Sequence, residues 1–359
     1  MKYIDEYRDK EIVLQLAEEI QKLSKKELTF MEVCGGHTMA LYKFGLPALL
    51  PENVTLLSGP GCPVCVTDKK YIDQAIAYSR LQDVIVTTFG DLVRVPGSTS
   101  TLAKERAKGA DVKTVYSSLE ALEIAKENPD KKVIFLGIGF ETTAPTSAAA
   151  ILEAVENINN FYLFSAHKVM PPAMAALIDE GIKIHGYVCP GHVSTITGTS
   201  IYEPLVEKYR VSCVISGFEP VDMMQSLYML VKQQEENRPA VEIQYSRAVK
   251  PEGNLKAQQL MNEVFQPRDD WWRGLGVLPE SGLGIREKYL QYDAERMIEV
   301  EVEETTRTPG CICGEILKGL KRPLDCKLFA KVCTPANPVG TCMVSNEGAC
   351  AAYYRYNRG

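Results

Sequence analysis

Between about Leu28 and Leu230 short apolar runs alternate with segments of helical periodicity, and this rhythm restricts the possible folds more than any other feature of the chain. Strands spaced by helix-length segments are the pattern of parallel βαβ units, in which each crossover helix covers a sheet face. The predicted strands are LTFMEVCG, VTLLSGPG, DVIVTTFG, VKTVYS, KVIFLGIGF, FYLFSAH, IKIHGYVCPG and SCVISGFEP. Helix signals fall between them. Ser117-Ser118-Leu119-Glu120 reads as a capping box, and Pro145 sits in the first turn of the segment that follows the fifth strand.

The eight strands divide into two sets of four with one rhythm. Strand ends near Cys34, Gly61, Gly90 and Tyr116 recur near Gly139, Ala166, Pro190 and Ser216, an offset of about 100 to 105 residues. The expected architecture is α/β, with two similar lobes built on open parallel sheets over residues 28–130 and 131–235. Residues 1–27 and 236–359 would form an N-terminal helix and a C-terminal metal-bearing module. In open parallel sheets, ligands bind beyond the carboxyl ends of the strands. CGGHT, GPGCPVC, GFETT, SAHK and CPGHVS all lie at such ends.

Composition narrows the function. The chain of 359 residues has a net charge of −6, which gives no support to nucleic-acid or anionic-membrane binding, since both call for clustered Lys and Arg. The N-terminus carries acids throughout, and Val13, Leu16, Ala17, Ile20 and Leu23 lie on one helical face instead of forming a signal peptide. A cytoplasmic location is expected, and there the 11 cysteines point to metal or redox chemistry instead of a disulfide framework.

The cysteines form two constellations. Cys311, Cys313, Cys326, Cys333, Cys342 and Cys350 crowd the tail without a single C-x2-C pair. Structural zinc usually takes such pairs, whereas iron–sulfur clusters accept wider spacing, so a cluster leads over zinc and over unligated thiols. The other constellation is Cys34-Gly-Gly-His37 with Cys62-Pro-Val-Cys65. Each follows a strand end and precedes a helix, where backbone N–H groups and the helix dipole favour thiolate. Zinc, a thioredoxin-like pair and a soft-ligand iron site remain open on spacing alone. Among other residues, Glu141, His192 and His167 are candidates for the same cleft. Glu219 reads as a helix cap, His185 as a packed strand residue, and Cys189 and Cys213 as buried small hydrophobes. Glu347 reads as tuning a cluster or bonding backbone.

CGGHT, GPGCPVC, GFETTAP, CPGHVSTITG and the tail from CGEILKG to AYYRY closely resemble the hydrogenase maturation factor HypD family, in order and over nearly the whole chain. The resemblance implies a scaffold on which the Fe(CN)2(CO) unit of [NiFe]-hydrogenase is assembled in complex with HypC, with cyanide arriving from HypE. It implies Cys34, His37, Cys62 and Cys65 as the assembly site. It further implies Cys311, Cys326, Cys333 and Cys350 as ligands of a [4Fe–4S] cluster, with Cys313 and Cys342 as an adjacent redox pair. Glu141 and His192 are expected to face the assembly site.

Overall fold

The computed structural model describes residues 5–306 and 308–356; the ends of the predicted N- and C-terminal segments, together with residue 307, lie outside the described residues. All eight predicted strands form: β1 Leu28–Glu32, β2 Val54–Ser58, β3 Val84–Thr88, β4 Val112–Thr114, β5 Lys132–Gly139, β6 Phe161–His167, β7 Gly186–Pro190 and β8 Ser212–Ser216. Every pairing among them is parallel. Local signals act as expected. Ser117 accepts from the Glu120 N–H at 3.2 Å, Pro145 lies in the first turn of helix Ala144–Asn157, and Val13, Ala17 and Ile20 are buried along helix Lys10–Leu23. That face packs on helix Pro220–Glu235.

The strands do not divide at residue 130. One sheet has the order β2-β1-β7-β8, extended by β9 Val241–Ile243; the other has the order β4-β3-β5-β6. Each sheet therefore takes two strands from each half of the chain, and the lobes expected at 28–130 and 131–235 are exchanged halves. The repeat survives the exchange. Replacing each strand by its partner under the offset turns β2-β1-β7-β8 into β6-β5-β3-β4, which is the second sheet read backwards. The sequence hides this because most of these strands are apolar on both faces, as buried parallel strands are, and no local pattern says which pairs with which.

Two further elements follow β8 in the chain. β9 adds to β8 at the sheet edge, and β10 Phe265–Trp272 pairs antiparallel with β11 Gly276–Ile285. The hairpin backs β6. The Lys168 ammonium at the end of that strand is buried, 2.9 Å from Asp270 and donating to the Trp271 carbonyl at 2.9 Å. The tail is not a free-standing module. Its last helix, Ala349–Tyr356, packs on helix Gly35–Lys43, where the Tyr42 and Tyr353 hydroxyls meet at 2.5 Å. Among the described residues no helix is long and apolar enough to cross a membrane.

The closest backbone approach near the strand ends is at Gly61, where an added Cβ would lie 2.2 Å from the Cys34 nitrogen. Gly61→Ala should therefore cost about 1–3 kcal/mol through overpacking. Gly90→Ala, whose Cβ would meet only the Thr114 methyl at 3.6 Å, should be close to neutral. Denaturant midpoints followed by circular dichroism compare the two; equal midpoints would show that the Cys34 backbone yields freely.

Candidate functional site

The carboxyl ends of the two sheets face a common cleft of about 580 Å³. Its walls come from the residues that follow β1 (Val33, Cys34), β2 (Gly61, Pro63), β3 (Gly90, Asp91), β4 (Tyr116), β5 (Phe140, Thr142, Thr143) and β7 (His192, Val193). The tail closes it with Ser345 and Glu347.

Cys34 is the free thiol in this wall, partly exposed at the N-cap of helix Gly35–Lys43. The backbone N–H groups of Gly36 and His37 favour its thiolate, as the strand-to-helix position predicts, but they do not dominate. Burial, with the Glu347 and Glu32 carboxyls adding to it, pushes the thiol up to about 12. The expectation of a lowered thiol is thus reversed, because sheet and tail bury the sulfur that a surface helix terminus would leave in water. Below Cys34 lies Glu32, fully buried. It accepts from the Cys34 N–H at 3.1 Å and from the Thr38 hydroxyl at 2.5 Å, and burial raises its carboxyl to about 8.

Cys62 and Cys65 are joined by a disulfide and buried behind the cleft, while Pro63 and Val64 between them line it. Gly61 brings this segment against Cys34, and its carbonyl accepts from the Gly35 N–H at 3.1 Å. His192 also reaches the cleft, stacked on Phe218 at 4.0 Å, and burial lowers its pKa.

Two expected site residues sit elsewhere. His37 lies fully buried against Phe218, ring centroids 4.7 Å apart, and donates from Nε2 to the Ser216 carbonyl at 3.3 Å. Burial lowers its pKa to about 4, and its Nδ1 has no hydrogen-bond partner. Its third position in the Cys34 helix turns the ring away from the cleft and into the sheet. Glu141 is buried and accepts from the Met170 N–H at 2.9 Å, capping helix Met170–Asp179, and burial raises its carboxyl to about 7. His167 bonds the Ser147 hydroxyl at 2.8 Å and is equally enclosed.

Of the remaining residues, Glu219 is the N-cap of helix Pro220–Glu235 and pairs with Arg8 at 2.8 Å. The His185 ring, just outside β7, accepts from the Thr29 N–H at 2.8 Å. Cys189 and Cys213 are fully buried in β7 and β8.

The tail gathers its own thiols. Cys311, Cys313, Cys326, Cys333 and Cys350 line one small cavity with the apolar side chains of Ile316, Leu328, Phe329 and Met343. The Cys311 and Cys313 sulfurs are 3.1 Å apart, and a Cβ on Gly340 would lie 2.6 Å from Cys313 and 2.7 Å from Cys311. Cys313 and Cys342 are both free, so the pair expected between them is not bonded here; Cys313 contacts Cys311 and Cys350 instead. Among the described residues, no group of three or more His, Cys, Asp or Glu side chains is already set around a metal position. The cavity touches the disulfide segment through short helix Thr341–Val344, whose Thr341 hydroxyl donates to the Cys65 carbonyl at 3.3 Å.

Sequence reasoning missed Glu347 as a cleft residue. It stands 313 positions from Cys34 in the chain, and nothing local links them. A Cβ on Gly35 would lie 2.3 Å from the Glu347 Cβ, so the tail seats directly on the Cys34 helix. Glu32 had a visible signal, a lone carboxylate in an apolar strand.

Since the Glu347 carboxylate opposes ionisation of Cys34, Glu347→Gln should lower the thiol pKa. Alkylation of the Cys34 peptide by iodoacetamide, followed by mass spectrometry at pH 8–9, should speed up several-fold. An unchanged or slower rate would remove Glu347 from the electrostatics of the site.

A family model described as HypD, hydrogenase formation hypA family, matches residues 11–357. The chain is 48% identical to hydrogenase maturation factor HypD2 of Bradyrhizobium diazoefficiens, covering 100% of this chain and 97% of that protein. It is 46% identical to hydrogenase maturation factor HypD of Azotobacter vinelandii, covering 100% and 97%. With the HypD of Escherichia coli K12 the identity is 42%, covering 100% and 99%. Matches of this extent, over motifs that line one cleft and one thiol cavity, make the chain a member of the HypD family of hydrogenase maturation factors.

Proposed function

We propose that this chain is the scaffold on which the Fe(CN)2(CO) unit of [NiFe]-hydrogenase is assembled, in complex with HypC and with cyanide delivered from HypE. The observation that carries this reading is Cys34, a free thiol opening into about 580 Å³ of cleft beside His192 and Glu347, against the segment that holds the Cys62–Cys65 disulfide. Thiolates are soft ligands suited to iron with strong-field partners. An iron ion held by Cys34 must displace the thiol proton, so uptake rises with pH. Reduction of the disulfide takes two electrons and two protons and frees Cys62 and Cys65 as further ligands or electron carriers. The cleft leaves room for a thiolate from the partner.

Electrons would come through the tail. Five thiols facing one apolar-lined cavity, with no histidine among them, suit an iron–sulfur cluster better than zinc. Cys311, Cys326, Cys333 and Cys350 would hold a [4Fe–4S] cluster, which supplies single electrons, and Cys313 and Cys342 would serve as the redox pair. The bond from Thr341 to Cys65 supports a short connection between that cavity and the disulfide.

A second reading, an iron–sulfur thiol–disulfide oxidoreductase, is favoured by the disulfide itself. Infrared spectroscopy of anaerobically purified protein with its partner separates the two: cyanide and carbonyl stretches belong only to the scaffold. Cys34→Ser should remove these bands while fold and iron–sulfur absorption stay. Bands at full strength in that variant, and equally in one lacking Cys62 and Cys65, would mean the iron is held elsewhere. Cys326→Ala and Cys333→Ala should each abolish the brown chromophore; a full cluster in both would refute the ligand set.

A further inference from the structure

One outer wall of the thiol cavity is a basic stretch of the tail. Of the five cysteines that line the cavity, Cys313, Cys333 and Cys350 are buried, while Cys311 and Cys326 are partly exposed. From Cys311 to Cys333 the chain carries Lys318, Lys321, Arg322, Lys327 and Lys331 against Glu315 and Asp325, a net +3, while the remainder of the chain carries −9. We propose that the surface around Cys326 is the docking site of a small acidic protein that carries single electrons. The proposal rests on the reading of the tail as the place where electrons enter.

Consecutive tight turns build this wall. The Cys326 N–H donates to the Pro323 carbonyl at 3.1 Å, the Phe329 N–H to the Cys326 carbonyl at 3.0 Å and the Cys333 N–H to the Leu328 carbonyl at 2.9 Å. Folded in this way, the stretch sends Cys326, Leu328, Phe329 and Cys333 to the cavity and leaves Lys327, Lys331 and Val332 exposed. Lys318 is used within the fold, 2.6 Å from the Glu180 carboxylate, and Asp325 accepts from the Arg322 N–H at 2.7 Å. Lys321, Arg322, Lys327 and Lys331 are exposed and make no ion pair among the described residues. Leu320, Leu324 and Val332 stand exposed beside them in the chain. Apolar side chains within a charged rim are the composition of a protein interface, which favours a protein over a nucleic acid as the occupant. Unpaired cations select an acidic one and steer its approach. A carrier has to leave after each electron, and a small surface of this kind suits such a transient encounter. Each encounter breaks no bond: the carrier is oxidised by one electron, which passes to the group held by the cavity thiols.

The test is binding of oxidised flavodoxin, an acidic one-electron carrier without iron, to the anaerobically purified full-length protein, followed by isothermal titration calorimetry. The dissociation constant should rise about tenfold between about 50 mM and about 300 mM salt, because exposed charges are screened. Lys321→Glu, Lys327→Glu and Lys331→Glu combined should raise it by about tenfold or more at low salt, and the three corresponding Lys→Arg changes should leave it within about twofold. Reversal of Lys10, Lys183 and Lys256, exposed lysines outside the tail, alters the net charge equally and should change it by less than about threefold. Absence of binding by the unmodified protein, equal losses from the two sets of reversals, or equal affinity for the basic carrier cytochrome c or for a short DNA duplex would overturn the proposal. Iron–sulfur absorption, recorded on each sample before flavodoxin is added, should be the same in all of them. Failure to dock at full absorption overturns this inference alone, whereas unmodified protein lacking that absorption would overturn the cluster reading and this inference together.

Discussion

The exchange of strand pairs between the two halves of the chain is the constraint from which the rest follows. Because β7 and β8 join β1 in one sheet while β3 and β4 join β5 in the other, the chain crosses twice between sheets. Parallel strands expose their helix-bearing turns at one edge only, and here those edges face one another. Cys34 and His192, 158 residues apart, meet in one cleft for this reason. In two contiguous lobes each sheet would have kept its own turns, with the cysteines on one and His192 on the other.

The tail depends on that frame. It has few apolar residues per cysteine and would bury little by itself. Docking supplies what it lacks: helix Ala349–Tyr356 lies on the Cys34 helix, the tyrosine hydroxyls meet across the contact, and Gly35 admits the Glu347 backbone. The same contact that stabilises the tail delivers a carboxylate to the cleft and seats Thr341 on the disulfide segment. Folding of the thiol cavity and electrostatics of the cleft are therefore coupled, and the charge near Cys34 reflects how well the tail is seated.

Burial decides the chemistry of the cleft more than charge pairing does. Cys34, Glu347 and His192 in its walls, and Glu32 beneath them, all have burial as the leading cause of their shifts, and each is pushed toward its neutral form. The Cys34 thiol can act as a ligand or nucleophile only by giving up its proton.

Local chemistry alone determined much of this protein. Apolar runs between helical segments marked all eight parallel strands, Ser117 and Pro145 marked helix starts, and the glycine-bearing motifs marked the strand ends that form the cleft. These signals are short-range, so they are legible without a fold. Strand order was not, because most of the eight strands are apolar on both faces and a repeat of about 100 residues is compatible with contiguous or exchanged sheets. Nor could spacing show that His37 and Glu141 turn inward, since orientation depends on what covers each helix terminus. The upward shift of the Cys34 thiol and the arrival of Glu347 beside it were likewise settled only in three dimensions. Both arise from the tail packing on a helix that lies more than 300 residues earlier in the chain.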